Sequence, residues 1–84
     1  MTTQSQEEFI VNNMNIVRNI ASKYYTDKIG LDYEDLVSYG VMGLIDARKK
    51  FDESRGVKFS TYASIRVSSF IIDEIRKYSP VSRT

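Results

Sequence analysis

The chain has 84 residues, a formal net charge of +1, 42% hydrophobic residues and a single proline, which predicts one small folded domain rather than a disordered segment. Cysteine and histidine are both absent, which excludes disulfides, zinc fingers and Cys- or His-based catalysis, and we expect neither a metal nor a cofactor. No apolar run approaches the roughly 20 residues of a membrane span and no signal-peptide pattern is present, so we expect a cytoplasmic protein without membrane contact.

The first helix is predicted to follow a disordered segment over residues 1–4. Ser5 and Glu8 have the spacing of a capping box, which is typical of a helix start. The helix should end near Asp27. Its buried stripe follows helical spacing through Ile10, Met14, Val17, Ala21 and Tyr24.

The second helix is predicted to begin at Asp32, a favourable N-cap residue. Its inner face includes Gly40 and Gly43, and each costs about 1 kcal/mol relative to alanine in a helix. We therefore expect another helix to approach closely at these glycines. The rest of the inner stripe comprises Leu36, Leu44, Ala47 and Phe51. The opposite face carries Asp35, Ser38, Tyr39, Met42 and Asp46, with Ile45 beside them, and is apolar enough to favour a protein–protein contact.

A turn containing Gly56 separates the second helix from the third, for which Ser60 is the predicted N-cap. The third helix is the most apolar, so we expect it to lie at the centre of the domain. Pro80 should end it, leaving residues 79–84 as a tail or linker. The predicted fold is all-α, a compact bundle of three main helices over residues 5–78.

Charge is divided unevenly along the chain. Residues 1–47 contain three cations and seven acids, a net charge of −4, whereas residues 48–84 contain nine cations and four acids, a net charge of +5. This asymmetry is consistent with an acidic face that binds a basic protein and a basic face that binds nucleic acid. It is equally consistent with ordinary charged residues exposed to solvent.

Three classes of function are compared. Catalysis is disfavoured because the carboxylate pairs are adjacent in sequence and point about 100° apart on a helix, and no phosphate loop or nucleophile motif is present. A helical partner-binding module explains the amphipathic stripes but not the aromatics and hydroxyls crowded between residues 51 and 66. A helix-turn-helix is disfavoured by the apolar third helix. Aromatics beside cations instead fit capture of a single nucleic-acid strand, in which a stacked base contributes about 1–3 kcal/mol.

Residues 35–77 closely resemble conserved region 2 of the bacterial sigma-70 superfamily of transcription initiation factors, in the sequence DLVSYGVMGLIDARKKFDESRGVKFSTYASIRVSSFIIDEIRK. They are most similar to the flagellar and sporulation-type (sigma-28-like) group, and FSTYASIR is a highly specific part of the match. The resemblance extends over about residues 12–77. It implies a helical bundle like sigma domain 2, with no enzymatic activity.

The resemblance implies one surface for core RNA polymerase. In this family, region 2.2 docks on the coiled coil of the beta-prime subunit. The matching positions here are Asp35, Ser38, Tyr39, Met42 and Ile45. The family often has a more polar residue where Tyr39 stands, which implies a more apolar contact in this chain.

The resemblance also implies a surface for the non-template strand of the promoter −10 element, where flipped bases are captured. The matching positions are Phe51, Lys58, Phe59, Ser60, Thr61 and Tyr62, with Asn13 and Ile16 for a second base and the cations Arg55, Arg66 and Lys77 facing the DNA. Val57 stands where housekeeping members carry an aromatic residue. Ile65 and Arg66 stand where they carry two tryptophans, and the resemblance implies that Ile65 and Arg66 replace this pair as DNA contacts. Weaker intrinsic melting and a stricter promoter requirement are therefore implied.

The implied mechanism is binding without chemistry, in which the domain joins core polymerase and traps extruded bases. An anti-sigma factor is a further implied partner. Members of this group continue into domains that read the −35 element, so we expect this chain to be an excised part of such a protein. The alternative interpretation is a helical interaction module without DNA activity.

Overall fold

The computed structural model describes residues 5–27 and 30–78, which form three α-helices and one short 3₁₀ turn. Helix α1 spans Gln6–Tyr24, α2 spans Tyr33–Lys50, the 3₁₀ turn spans Glu53–Arg55 and α3 spans Phe59–Tyr78. Over these residues there is no strand, and the predicted all-α bundle of three main helices is confirmed. The expectations for residues 1–4, for Pro80 and for residues 79–84 lie outside the described residues.

Short-range capping contacts set the start of the first two helices. At α1, Ser5 Oγ accepts a hydrogen bond from the Glu8 N–H at 3.1 Å, and the Glu8 carboxylate accepts one from the Ser5 N–H at 3.3 Å. At α2, the Asp35 carboxylate accepts a hydrogen bond from the Asp32 N–H at 3.0 Å. Both predicted N-caps, Ser5 and Asp32, are confirmed.

Two helix ends differ from the prediction. Helix α1 ends at Tyr24, before Asp27, because Tyr25 is extended and its ring packs edge-on against Tyr33 with centroids 6.1 Å apart. The prediction of Ser60 as an N-cap is wrong, since α3 already begins at Phe59. Its first turn is closed by backbone hydrogen bonds from residues 61 and 62 to the carbonyl oxygen of residue 58, both at 3.1 Å, so the Ser60 side chain has no capping role.

Helix α2 packs against both α1 and α3 and supplies six of the buried positions, so α2 rather than α3 is the central helix. A Cβ atom at Gly40 would lie 2.7 Å from Val17 Cγ1 of α1, and one at Gly43 would lie 2.8 Å from Val67 Cα of α3. The expected close approach at both glycines is confirmed. The buried apolar residues are Phe9, Val17, Ala21, Leu31, Leu36, Val37, Leu44, Ala47, Ala63, Val67 and Ile71.

Across residues 5–27 and 30–78, no helix combines the length and the apolar character needed to cross a membrane.

Candidate nucleic-acid interface

The connection between α2 and α3, residues 51–58, is a tight loop with its own hydrogen bonds. Phe51 is extended and ends α2. The Asp52 carboxylate then accepts hydrogen bonds from the N–H and the hydroxyl of Ser54, at 3.0 and 2.6 Å. Gly56 reverses the chain with φ +76°, a left-handed conformation that side chains disfavour. The loop thereby places the end of α2 beside the start of α3.

Four aromatic rings meet beside this loop. Phe59 lies edge-on to Phe9 of α1 and to Phe51, with ring centroids 5.5 and 5.3 Å apart, and Tyr62 lies 5.9 Å from Phe51. The guanidinium carbon of Arg48 is 4.9 Å from the centroid of Phe9, within range of a cation–π contact. Each such ring pair contributes about 0.5–1.5 kcal/mol beyond its buried area. Rings that the sequence assigns to nucleic-acid binding therefore also stabilise the packing of the three helices.

A cavity of about 350 Å³ opens next to this aromatic cluster. Its volume lies within the range of about 300–1,000 Å³ found for small-molecule sites. The lining residues are Lys50, Phe51, Asp52, Arg55, Val57 and Tyr62. The two aromatic rings give flat apolar walls, the two cations can pair with phosphate, and the Asp52 carboxylate can accept hydrogen bonds from N–H groups. Three predicted DNA-binding residues, Phe51, Arg55 and Tyr62, are thus brought together in a cavity with groups suited to a nucleotide.

The carboxylate of Asp52 is held in its charged form. The hydrogen bond from the Ser54 hydroxyl, and then that from the Ser54 N–H, keep the pKa of Asp52 below its ordinary value of 3.8, against a smaller opposing effect of desolvation. Arg55 Nε lies 3.8 Å from this carboxylate, in an exposed and therefore weak pair. Asp52 and Lys50 were missed as cavity residues, although the Asp52–Ser54 spacing is typical of an Asx turn.

Helix α2 holds the side chain of Arg66. Arg66 Nε donates a hydrogen bond to Asp46 Oδ2 at 2.8 Å and Nη2 lies 2.7 Å from the same oxygen, while Lys50 Nζ lies 3.1 Å from Asp46 Oδ1. The Arg66 side chain is 32% exposed and that of Asp46 only 18%. The guanidinium carbon also lies 5.7 Å from the ring centroid of Phe70. Sequence reasoning missed this pair because its partners are 20 residues apart and lie on different helices.

Acidification is expected to weaken the contribution of Asp46 to stability. Burial alone would raise the pKa of Asp46, but the hydrogen bonds from Arg66 and Lys50 outweigh it and lower the pKa below 3.8. Since the folded-state pKa is below the unfolded-state pKa, this contribution is complete above about pH 4 and is lost as the pH falls through the folded-state value.

Asp46→Asn should therefore lower the Tm most at neutral pH, by about 4–8 °C if the pair contributes roughly 1 kcal/mol. Thermal unfolding followed by circular dichroism from pH 7 to pH 2 measures the Tm difference between the wild type and the variant. The difference is expected to shrink below about pH 4. A difference that does not change over this range would contradict the assigned role of the ion pair.

The other predicted DNA residues at the start of α3 are accessible. Lys58, Ser60 and Thr61 are exposed, and Ile65 is 58% exposed one helical turn further on. The Ser60 carbonyl accepts a hydrogen bond from the Ser64 hydroxyl at 2.9 Å. These side chains extend the surface beyond the cavity without lining it.

Three predicted residues lie away from the cavity. On α1, Asn13 Nδ2 donates to the Phe9 carbonyl at 2.8 Å, and Ile16 packs against the core, so both side chains are engaged within the bundle. Lys77 is near the end of α3, about 22 Å along the helix axis from Tyr62. Its ammonium group lies 3.1 Å from the Glu74 carboxylate, which raises the pKa of Lys77.

The predicted polymerase-binding residues follow the outer face of α2. Asp35 and Ser38 are exposed, with the Asp35 carboxylate engaged in the helix cap, and Tyr39 packs partly against the core. Met42 is 53% exposed, and Ile45 is half-buried beside it. A shallow groove of about 290 Å³ is lined by Met42, Ile45, Asp46, Lys49 and Phe70. Phe70 belongs to α3, so its contribution to this groove depends on helix packing and was missed.

Comparison with known proteins identifies the family of this chain. Residues 9–80 match the family model for Sigma-70 region 2. The RNA polymerase sigma-D factor of Bacillus subtilis (strain 168) is 53% identical over 51 residues, covering 61% of this chain and 20% of that protein. The RNA polymerase sigma factor FliA of Pseudomonas aeruginosa is 38% identical over 74 residues, covering 87% of this chain and 30% of that protein. The RNA polymerase sigma factor SigA of Microcystis aeruginosa is 43% identical over 61 residues, covering 73% and 14%.

The chain spans between 14% and 30% of the length of these three relatives. The family model nevertheless covers most of the chain, including α2, the connecting loop and α3. The resemblance inferred from the residues is confirmed, including its likeness to the flagellar-type group. The chain belongs to the sigma-70 region 2 family, whose members are non-enzymatic transcription initiation factors.

Proposed function

We propose that this domain binds core RNA polymerase and recognises the −10 element of promoter DNA, acting in the cytoplasm without chemistry of its own. The observation that carries the proposal is the cavity between α2 and α3, where aromatic walls, cations and a carboxylate converge in a chain of this family. Relatives named as RNA polymerase sigma factors support the assignment of the polymerase as partner.

The cavity is proposed to receive a flipped base of the non-template strand. Phe51 and Tyr62 offer surfaces for stacking, while Lys50 and Arg55 are placed to pair with phosphate. Asp52 is an acceptor for an exocyclic amino group, which adenine carries and thymine lacks. The stacking and polar contacts would offset the unpairing of the base, which requires a few kcal/mol.

We expect this domain to contribute only weakly to the melting of promoter DNA. Val57 in the loop and Ile65 on α3 are exposed apolar side chains, 43% and 58% exposed. Aliphatic side chains cover a base but provide less flat stacking surface than an aromatic ring. We therefore expect stable promoter opening to depend on a good match to the −10 sequence.

The outer face of α2 is proposed to dock on the coiled coil of the beta-prime subunit. Met42 and Ile45 border a groove that Phe70 closes from α3, which suits the ridge of side chains on a helical partner. Asp35, Ser38 and Tyr39 extend the same face toward the start of α2. We propose the same face as the surface for an anti-sigma factor.

Two binding measurements on the same preparation test the proposed function. One is a pull-down with the isolated beta-prime coiled coil, and the other is fluorescence anisotropy with a single-stranded −10 oligonucleotide and a scrambled version of it. We expect capture by the coiled coil and tighter binding of the −10 oligonucleotide. Binding to the coiled coil alone would favour a helical interaction module, and no binding to either would contradict the whole proposal.

Met42→Asp is expected to weaken coiled-coil binding by at least about tenfold, because burial of an apolar side chain contributes about 1.5–3 kcal/mol and a buried carboxylate opposes binding. Binding to the −10 oligonucleotide should change little. Val11→Asp is the matched control, since Val11 is 71% exposed on α1. Equal weakening by both variants would show that the added charge, rather than the outer face of α2, is responsible.

A further inference from the structure

An ionic cluster of Asp46, Arg66 and Lys50 lies between the cavity and the groove. Lys50 is part of the cavity wall, whereas Asp46 is part of the groove. The two Asp46 oxygens contact different cations, with Arg66 Nη2 at 2.7 Å from one and Lys50 Nζ at 3.1 Å from the other. A single carboxylate on α2 therefore engages one cation of its own helix and one of α3.

The hydrogen bonds to Asp46 determine the direction of the Arg66 guanidinium. Arginine has five N–H donors in one plane. Nε donates a hydrogen bond to Asp46 Oδ2 at 2.8 Å, and Nη2 lies 2.7 Å from the same oxygen. Because the group is planar, these two contacts fix the direction of the remaining donors. The side chain is 32% exposed, which leaves it open to a ligand.

An arginine held in this way differs from a freely moving one in what it binds. A mobile guanidinium pairs with any phosphate, which gives sequence-independent and strongly salt-dependent affinity. The nearby carboxylate reduces the local positive charge, and thus lowers this general affinity. Only an acceptor located in front of the remaining donors gains the full interaction, since a fork geometry is directional.

We propose that Asp46 is a positioning residue that makes Arg66 a directional contact to the promoter strand and lowers the affinity of the domain for unrelated DNA. This inference rests on the proposed function, because it requires the domain to bind a −10 strand. Asp46 is not among the site residues that the family resemblance implies, and the inference gives it a role in sequence discrimination.

The test compares Asp46→Asn with a matched control, Glu53→Gln. Both substitutions remove one negative charge, but in the described part of the chain Glu53 is exposed and forms no ion pair. Affinities for the −10 oligonucleotide and a scrambled oligonucleotide are measured by anisotropy at several salt concentrations. Circular dichroism and thermal unfolding establish that each variant is folded.

Asp46→Asn is expected to tighten binding of the scrambled strand and to reduce the −10 to scrambled affinity ratio about fivefold. For the scrambled strand, the slope of log K against log salt concentration should become more negative by about 0.7 for each phosphate contact that a released cation gains. Glu53→Gln should leave the ratio unchanged. In an Arg66→Gln background, Asp46→Asn should have little further effect on the ratio, because the residue it positions is absent.

A second variant keeps the test independent of how well Asp46→Asn folds. Arg66→Lys retains the positive charge but lacks the planar fork, and it should also lose discrimination. An unchanged ratio in both variants, or an equal change in Glu53→Gln, would overturn the inference. If the wild type does not bind the −10 strand at all, the proposed function itself fails. Discrimination by the wild type without any effect of Asp46 contradicts only the inference drawn here.

Discussion

Replacement of Tyr62 by alanine is expected to weaken binding to a single-stranded −10 oligonucleotide by about 5- to 150-fold. Tyr62 lines the proposed base cavity together with two cations, Lys50 and Arg55, and loss of one stacked base corresponds to about 1–3 kcal/mol. Binding to the beta-prime coiled coil should stay within about twofold, because the outer face of α2 carries that contact in our proposal. Anisotropy and pull-down on the same variant measure both effects.

Two control variants separate stacking from stability. Tyr62 also lies 5.9 Å from Phe51 within the aromatic cluster, so its removal is expected to lower the Tm as well. Tyr62→Phe retains the ring and should bind the −10 strand nearly as well as the wild type. Phe59→Leu removes a ring that contacts Phe9 and Phe51 but does not line the cavity. Phe59→Leu should lower the Tm with a much smaller effect on DNA binding. Equal loss of DNA binding and coiled-coil binding in Tyr62→Ala would refute the base-capturing role of Tyr62.

Gly43→Ala is expected to destabilise the domain by about 1–3 kcal/mol, although alanine is the better helix former by about 1 kcal/mol. A Cβ atom at this position would lie 2.8 Å from Val67 Cα and 2.9 Å from the Arg66 carbonyl oxygen. These are backbone atoms, so α2 and α3 must move apart to accommodate the methyl group. For a domain of this size, each kcal/mol lowers the Tm by about 4–8 °C, which thermal unfolding measures directly.

Gly40→Ala is the matched comparison on the same helix face. The atoms closest to its added Cβ belong to side chains, with Val17 Cγ1 at 2.7 Å and Ile71 Cδ1 at 3.3 Å. Side chains can change rotamer more easily than a backbone can shift, so the loss of stability should be smaller than for Gly43→Ala. Equal destabilisation by the two variants would contradict the assignment of Gly43 as the point of closest backbone approach.

The spacing of residues within short segments was sufficient to predict the helices and the family. The capping boxes at Ser5 and Asp32 involve residues three apart, and the buried stripes depend only on the 3.6-residue repeat. Gly40 and Gly43 were recognised as positions of close approach because nothing local justifies their cost in a helix. The FSTYASIR segment identified sigma-70 region 2, a match that the family comparison confirms.

Contacts between distant parts of the chain could not be predicted in this way. The charge division at residue 47 indicated separate acidic and basic faces, yet Asp46 from the acidic part is paired with Arg66 and Lys50 from the basic part. Phe59 is predicted only as a DNA contact, whereas its ring is half-buried and packs against Phe9 of α1 and against Phe51. The start of α3 was misplaced because backbone hydrogen bonds, rather than the Ser60 hydroxyl, close its first turn.

The cavity arises from the packing of α2 against α3. Lys50 and Phe51 come from the end of α2, Asp52, Arg55 and Val57 from the loop, and Tyr62 from α3. Their residue types are visible along the chain, but they come together only where α2 and α3 pack closely, as at Gly43, and where the loop turns at Gly56. Helical periodicity describes one element at a time, so the distance between side chains on different elements is determined only when the helices pack together.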